Sequence, residues 1–120
     1  MMKDRQDLKA IFDKVSDHLL QQNRKSYLSG CRYRTPDGRS CAIGCLIPDN
    51  IFEIHGKEIE GLTVSKEPVK KVLENCGLPV DDKAIDMYTE LQIIHDMHSV
   101  ETWKSCLDNL RKEYFDDEVL

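Results

Sequence analysis

Apolar residues recur at three- and four-residue intervals from Leu8 through Ile11, Phe12 and Val15 to Leu19. That period predicts an amphipathic helix with one stripe turned toward a core. Asp4 and Asp7 are its candidate N-caps. A polar exit, 21–29, runs to Gly30, and the period then changes to two. Cys31, Tyr33, Cys41 and Ile43 alternate with Arg32, Arg34 and Ser40 around Pro36, Asp37 and Gly38. Those turn residues suit a type I turn followed by a left-handed glycine, the three-residue hairpin loop with a bulge. The pattern predicts a β-hairpin pairing Thr35 with Arg39, Tyr33 with Cys41 and Cys31 with Ile43. Cys31, Tyr33, Cys41 and Ile43 then share one face, and Arg32, Arg34 and Ser40 the other.

The run 42–47 is too apolar to be exposed and reads as a short helix or buried turn ended by Pro48, with Gly44 permitting close approach of another backbone. Residues 52–63, holding Gly56 and Gly61, read as irregular. Three helices follow. Ser65 is a cap for one carrying Val69, Val72 and Leu73, stopped by Gly77, Leu78 and Pro79. Asp81 caps a second with Ile85, Tyr88, Leu91 and Ile94 or His95 inward. Ser99 caps a third with Val100, Trp103, Leu107, Leu110 and Tyr114 at helical spacing. The expected fold class is therefore α+β: an N-terminal helix, a central β-hairpin, and three or more C-terminal helices.

Length bounds this reading to a single domain, 1–120, with an acidic C-terminal tail at about 113–120. Hydrophobic content of 40% and charged content of 32% fit an ordinary globular chain rather than a disordered one. No apolar run reaches membrane-spanning length, and the polar start, 1–7, lacks the apolar stretch of a signal peptide. A cytoplasmic location follows as the expectation, with thiols reduced; five cysteines, an odd number, also argue against a disulfide framework. The net charge of −5 has the wrong sign for a protein that coats nucleic acid. A local basic cluster, Arg24, Lys25, Arg32, Arg34 and Arg39, offers a face for a partner or a small anionic ligand.

Three kinds of chemistry have candidate residues. Cys31, Cys41, Cys45 and His55 have the atom types of a tetrahedral zinc site, but nine, three and nine residues separate them and no Cys-x-x-Cys knuckle occurs. Small buried thiols are the plainer reading. Cys41, where a strand meets a helix start, is a candidate nucleophile, with His95 and Asp96, or His98, as base and orienter. The adjacent pair His95 and Asp96 also matches the dyad of metal-dependent phosphohydrolases resembling the HD superfamily. Further ligands would have to come from His18, His55, Asp108 or Asp116, and that domain is larger and all-helical. Aromatics at 7% with no basic interleaving give no stacking platform for single strands.

The segment from Cys31 to Asp49 resembles a group of small proteins encoded by tailed bacteriophages. Their pattern is Cys-x-Tyr-Arg, a glycine turn, then Cys-Ala-(Ile or Val)-Gly-(Cys or Ala)-Leu-Ile-Pro-Asp. Here it falls on Cys31, Tyr33, Arg34, Gly38, Cys41, Ala42, Ile43, Gly44, Cys45, Leu46, Ile47, Pro48 and Asp49. The helical start at 12–20, Glu60 with Gly61, Leu91 with Gln92, His95 with Asp96, and Trp103 extend the match over most of the chain. The stretch 51–58 and the acidic tail depart from it. A looser similarity, to a bacterial family carrying Cys-Ala-x-Gly-Ala-Leu, covers the central motif alone. Neither group brings an established activity. The pattern's tolerance of alanine at Cys45 implies that a three-cysteine metal site would lose a ligand there. Cys41 lies in its fixed part.

Together these observations lead to the expectation of a small phage accessory protein in the host cytosol. It would bind or sequester a host factor, either a defence or regulatory protein or a nucleotide-like signal, through Arg32, Arg34 and Arg39, and without catalysis. The alternative is a small cysteine/histidine-dependent hydrolase using Cys41, His95 and Asp96, or a zinc-binding module.

Overall fold

The computed structural model describes residues 3–27 and 32–115, with side chains from residue 8 onward. Within them the chain forms five α-helices: α1 (Lys3–Gln22), α2 (Asp49–Ile59), α3 (Glu67–Asn75), α4 (Asp82–Met97) and α5 (Trp103–Phe115). Single 3-10 turns at Gly44–Leu46 and Val100–Thr102 join them. The architecture is all-helical, with no strand or sheet among the described residues, which corrects the α+β expectation. No helix is long and apolar enough to cross a membrane.

The N-terminal helix follows its periodicity. Leu8, Phe12, Val15 and Leu19 are all buried, and α1 packs on α5 and α4. Phe12 meets Phe115 edge-on with ring centroids 5.7 Å apart. The Arg111 guanidinium lies over the Phe12 ring at 5.0 Å and reaches Asp13 at 2.6 Å. Asn23, in the left-handed region at φ 53°, ends the helix by donating its N–H to the Leu19 carbonyl at 2.8 Å. Helix α1 starts at Lys3, ahead of both expected caps.

The turn at Pro36, Asp37 and Gly38 forms in the expected register but does not grow into a hairpin. Arg34 and Ser40 make one isolated antiparallel bridge. Thr35 N–H donates to the Arg39 carbonyl (2.9 Å) and Cys41 N–H to the Tyr33 carbonyl (3.0 Å). Two causes stop the ladder there. Ile43 has helical dihedrals (φ −89°, ψ −33°), because the chain turns into Gly44–Leu46 directly after Cys41. The outward backbone groups of the bridge are also taken by side chains from helices, described below, instead of by further strands. Cys31, the expected partner of Ile43, lies outside the described residues.

Helix α2 corrects a second expectation, since 52–63 reads as irregular in sequence. Pro48 ends the 42–47 run as expected and is also the residue before the first turn of α2, where its carbonyl accepts from Ile51 and Phe52 at 3.1 and 3.0 Å. Gly56 lies buried one turn after Phe52, where an added Cβ would come within 2.8 Å of the Phe52 ring. The glycine is therefore part of the packed stripe rather than a breaker. Helix α3 starts one residue later than the Ser65 cap implies, at Glu67 with Lys66 in the N-cap position, and ends with Leu78 N–H on the Leu73 carbonyl at 3.1 Å. Helix α4 starts from Asp81 as expected. Ser99 precedes the 3-10 turn that leads into α5, where Trp103, Leu107 and Leu110 are buried. The expected acidic tail at about 113–120 falls partly within α5. Residues 113–115 finish α5, with Phe115 buried, and 116–120 lie outside the described residues.

Gly44 joins the bridge to the core. A Cβ at this position would stand 1.9 Å from the Tyr33 carbonyl oxygen, a backbone atom itself held by Cys41 N–H. Gly44→Ala must push two backbone segments apart inside a filled core, so a loss of about 2–4 kcal/mol is expected in urea denaturation. A variant within 1 kcal/mol of the parent would refute this account of the junction.

Candidate functional site

The backbone around the Arg34–Ser40 bridge is completed by three side chains. Tyr33 N–H and Arg34 N–H donate to the two carboxylate oxygens of Glu60, at 2.9 and 3.1 Å. On the opposite edge Ser40 N–H donates to Gln22 Oε1 (3.0 Å), and the Gln22 amide returns a bond to the Ser40 carbonyl (2.9 Å). His18 Nε2 stands 2.9 Å from the same carbonyl. Glu60, at the C-terminal end of α2, and Gln22, in the last turn of α1, thus serve the groups that flanking strands serve in a sheet.

Behind this bridge a second chain of hydrogen bonds crosses the molecule. Ile43 N–H donates to Gln92 Oε1 (3.3 Å), and Gln92 Nε2 donates to Asp96 Oδ1 (2.8 Å). His95 Nδ1 lies 2.7 Å from the same oxygen, while its Nε2 accepts from Ser26 N–H at 2.9 Å. A ring nitrogen that accepts a backbone N–H carries no proton, so Nδ1 holds it and donates to Asp96. The imidazole is fully buried and stacks on Trp103 with centroids 5.6 Å apart. Nε2 thereby holds the 23–27 segment to α4, while Nδ1 is taken up by Asp96 of the same helix.

Between these two networks lies a cleft of about 270 Å³. One wall is Tyr33 and the segment Glu60–Val64, and the other is the α4 face bearing Thr89, Gln92, Ile93, Asp96 and Met97. The Tyr33 hydroxyl donates to the Leu62 carbonyl at 2.6 Å, fixing the first wall. Ile93 and Met97, one turn apart, stay 42% and 75% exposed at the cleft. Burial raises the Tyr33 phenol pKa well above its usual range, and the nearby carboxylates of Glu60 and Asp96 add to the effect.

The residues singled out from sequence separate in space. Arg32 lines the cleft. Arg34 instead bonds the Asp49 carboxylate and the Ile47 carbonyl and lies 5.1 Å over the Phe52 ring. Arg39 pairs with Asp37 at 3.1 Å and donates to the carbonyls of Lys25 (2.8 Å) and Tyr27 (3.2 Å). Two of the three arginines expected to face a partner are thus fastened internally. Cys41 is fully buried and its thiol accepts from Gly44 N–H at 3.2 Å; burial drives its pKa far up, outweighing that bond. Asp96 is close enough for its charge to add to that rise, whereas the His95 ring faces Ser26 and Trp103. The thiol of Cys45 donates to the Ala42 carbonyl at 3.1 Å and is raised by burial to about 11.

His55 pairs with Glu58 at 3.2 Å on α2, beside a separate groove against α3. Among the described residues no three His, Cys, Asp or Glu side chains converge as metal ligands, and Cys31 lies outside them. Of the residues weighed for a phosphohydrolase set, His18 serves Ser40, Asp108 pairs with Lys104 at 3.2 Å, and Asp116 lies outside the described residues. His98 closes α4, and its carbonyl accepts from Trp103 Nε1 at 3.1 Å. Glu60, Gln92, Gln22 and Ser26 were not identified by chemical type. Glu60 and Gln92 enter the sequence reading only as positions matched in the resemblance to bacteriophage proteins. No protein-family model, curated protein or solved structure matches the chain.

Glu60→Ala leaves two amides without their acceptor and is expected to cost about 2–4 kcal/mol, with Glu60→Gln, which keeps one carbonyl oxygen, losing about half as much. Equal losses in both variants, read from chemical denaturation, would show that the carboxylate clamp is not what holds the bridge. Cysteine and tyrosine also set an alkaline limit. The unfolded chain releases these protons near pH 9 for cysteine and pH 10 for tyrosine, whereas Cys41, Cys45, Tyr33 and Tyr88 keep theirs in the fold. Their contribution is therefore complete below pH 9 and lost as the pH rises. Thermal melts should fall steadily above pH 9, and iodoacetamide at pH 7.5 should leave Cys41 unmodified until the protein unfolds. Labelling of Cys41 in the native state would contradict its burial.

Proposed function

We propose that this protein is a small accessory protein that acts by binding a host protein, using the cleft and the adjoining face of α4. The observation that carries this reading is the cleft itself. It is a concave site with an apolar rim, Ile93 and Met97, and a few fixed polar groups, Arg32, Glu60, Gln92 and Asp96. The resemblance of the Cys31–Asp49 segment to bacteriophage proteins supports a host factor, a defence or regulatory protein, as the partner.

Binding is favoured over catalysis because the candidate nucleophile and base are both spent on structure. The Cys41 thiol is buried and held protonated, and the His95 lone pair is committed to Ser26 N–H. A nucleotide-like signal is the poorer ligand. Arg34 and Arg39 are occupied, and two carboxylates on the cleft walls oppose a phosphate.

A photo-crosslinking amino acid at position 97 should give a discrete adduct in producing host cells. The same residue at position 54, where Ile54 is 72% exposed on α2 against 75% for Met97, should not. No adduct at 97, or the same ladder at both positions, would overturn the assignment of this face.

A further inference from the structure

Resting on the reading of the cleft as the binding face, we infer that the partner inserts a basic side chain there, a guanidinium or ammonium on an apolar stem. Glu60 and Asp96 would receive the head, and Leu62, Ile93 and Met97 would line the stem. The charged lining consists of one guanidinium, Arg32, against two carboxylates. Both carboxylates are already set in place. Glu60 is gripped by the amides of Tyr33 and Arg34, and Asp96 by His95 Nδ1 and Gln92 Nε2. Neither has to be reoriented when a cation arrives, so little ordering is required of this side.

Thr63 and Thr89 line opposite walls. Long basic side chains bury their methylenes along apolar surface while the charge stays among polar groups, and the unbranched Met97 can adapt to such a stem. The net charge of −5 on the chain points the same way for the partner as a whole. Arg32 is the counter-charge with which an incoming cation shares the cleft.

The test uses the full chain and four small probes followed by amide NMR shifts: n-butylguanidinium, n-butylammonium, butyrate and adenosine monophosphate at constant ionic strength. For a probe of about eight non-hydrogen atoms the expected Kd is of order millimolar. The two cations should give saturable shifts confined to residues 61–64 and 89–97, with butyrate and the nucleotide at least tenfold weaker. Thr89→Arg, which places a guanidinium on the half-buried wall of the cleft, should abolish those shifts in a protein whose remaining spectrum is unchanged. Arg32→Gln should tighten cation binding roughly threefold.

Butyrate or nucleotide binding as tight as the cations would overturn the inference. So would loss of cation binding in Arg32→Gln, or cation shifts spread over the surface and indifferent to Thr89→Arg. If the cations fail to bind while position 97 still yields its adduct, the binding face stands and only the basic side chain is wrong. If the cations bind but no adduct forms, the cleft chemistry stands and the protein partner is wrong.

Discussion

The structure depends on satisfying the backbone of a two-stranded bridge that has no sheet to belong to. One antiparallel pair, Arg34 with Ser40, leaves outward N–H and C=O groups on both edges, and burying such groups unpaired costs about as much as the bridge gains. Helices supply the missing partners. Glu60 takes the Tyr33 and Arg34 amides, and Gln22 takes both polar groups of Ser40. This fixes where α2 must end and how far α1 must run, so two helices are positioned by their last side chains as much as by their apolar stripes. Gly44, pressed on the Tyr33 carbonyl, then turns the chain into the core with no room for a side chain.

The cleft follows from that arrangement. Glu60 anchors the bridge and also stands on one wall, while Asp96 anchors the buried imidazole and stands on the other. Glu60 is fastened by backbone amides and Asp96 by the side chains of His95 and Gln92, so the cleft keeps its polar lining in the absence of a ligand. The same demand for partners explains why residues that look chemical in isolation are occupied. His95 holds the 23–27 segment through Ser26, Arg39 holds that segment's carbonyls, and Arg34 ties the turn to Asp49 and Phe52. Adjacent His and Asp, or a row of arginines, have the composition of a site. Here their partners are the protein's own backbone and side chains.

Several features were legible along the chain because they are set by neighbours a few residues apart. The α1 stripe, the stop after α3, the start of α4 and the placement of Trp103 and Leu107 follow from helical period and terminal residues. The turn register did too, since Pro36, Asp37 and Gly38 fix it locally. Helix α2 was hidden because Gly56 counts as a breaker until the Phe52 ring is seen lying against it, and because Pro48 reads equally as a stop or a start.

Whether the alternating segment became a sheet was not a local question. Alternation at Tyr33, Cys41 and Ile43 predicts which side chains are buried, and all three are. It does not say whether the outer edges meet strands or the ends of side chains tens of residues away. Helical periods, turn chemistry and the polarity of each face are readable along the chain, because they depend on spacing between near neighbours. That Glu60, Gln22 and Gln92 complete the backbone, that Cys41 and His95 are sealed, and that Arg32 alone of the three arginines lines the cleft emerges in the packed fold. Those outcomes turn on which polar groups compete for the same partner at about 3 Å, a competition settled by packing in three dimensions.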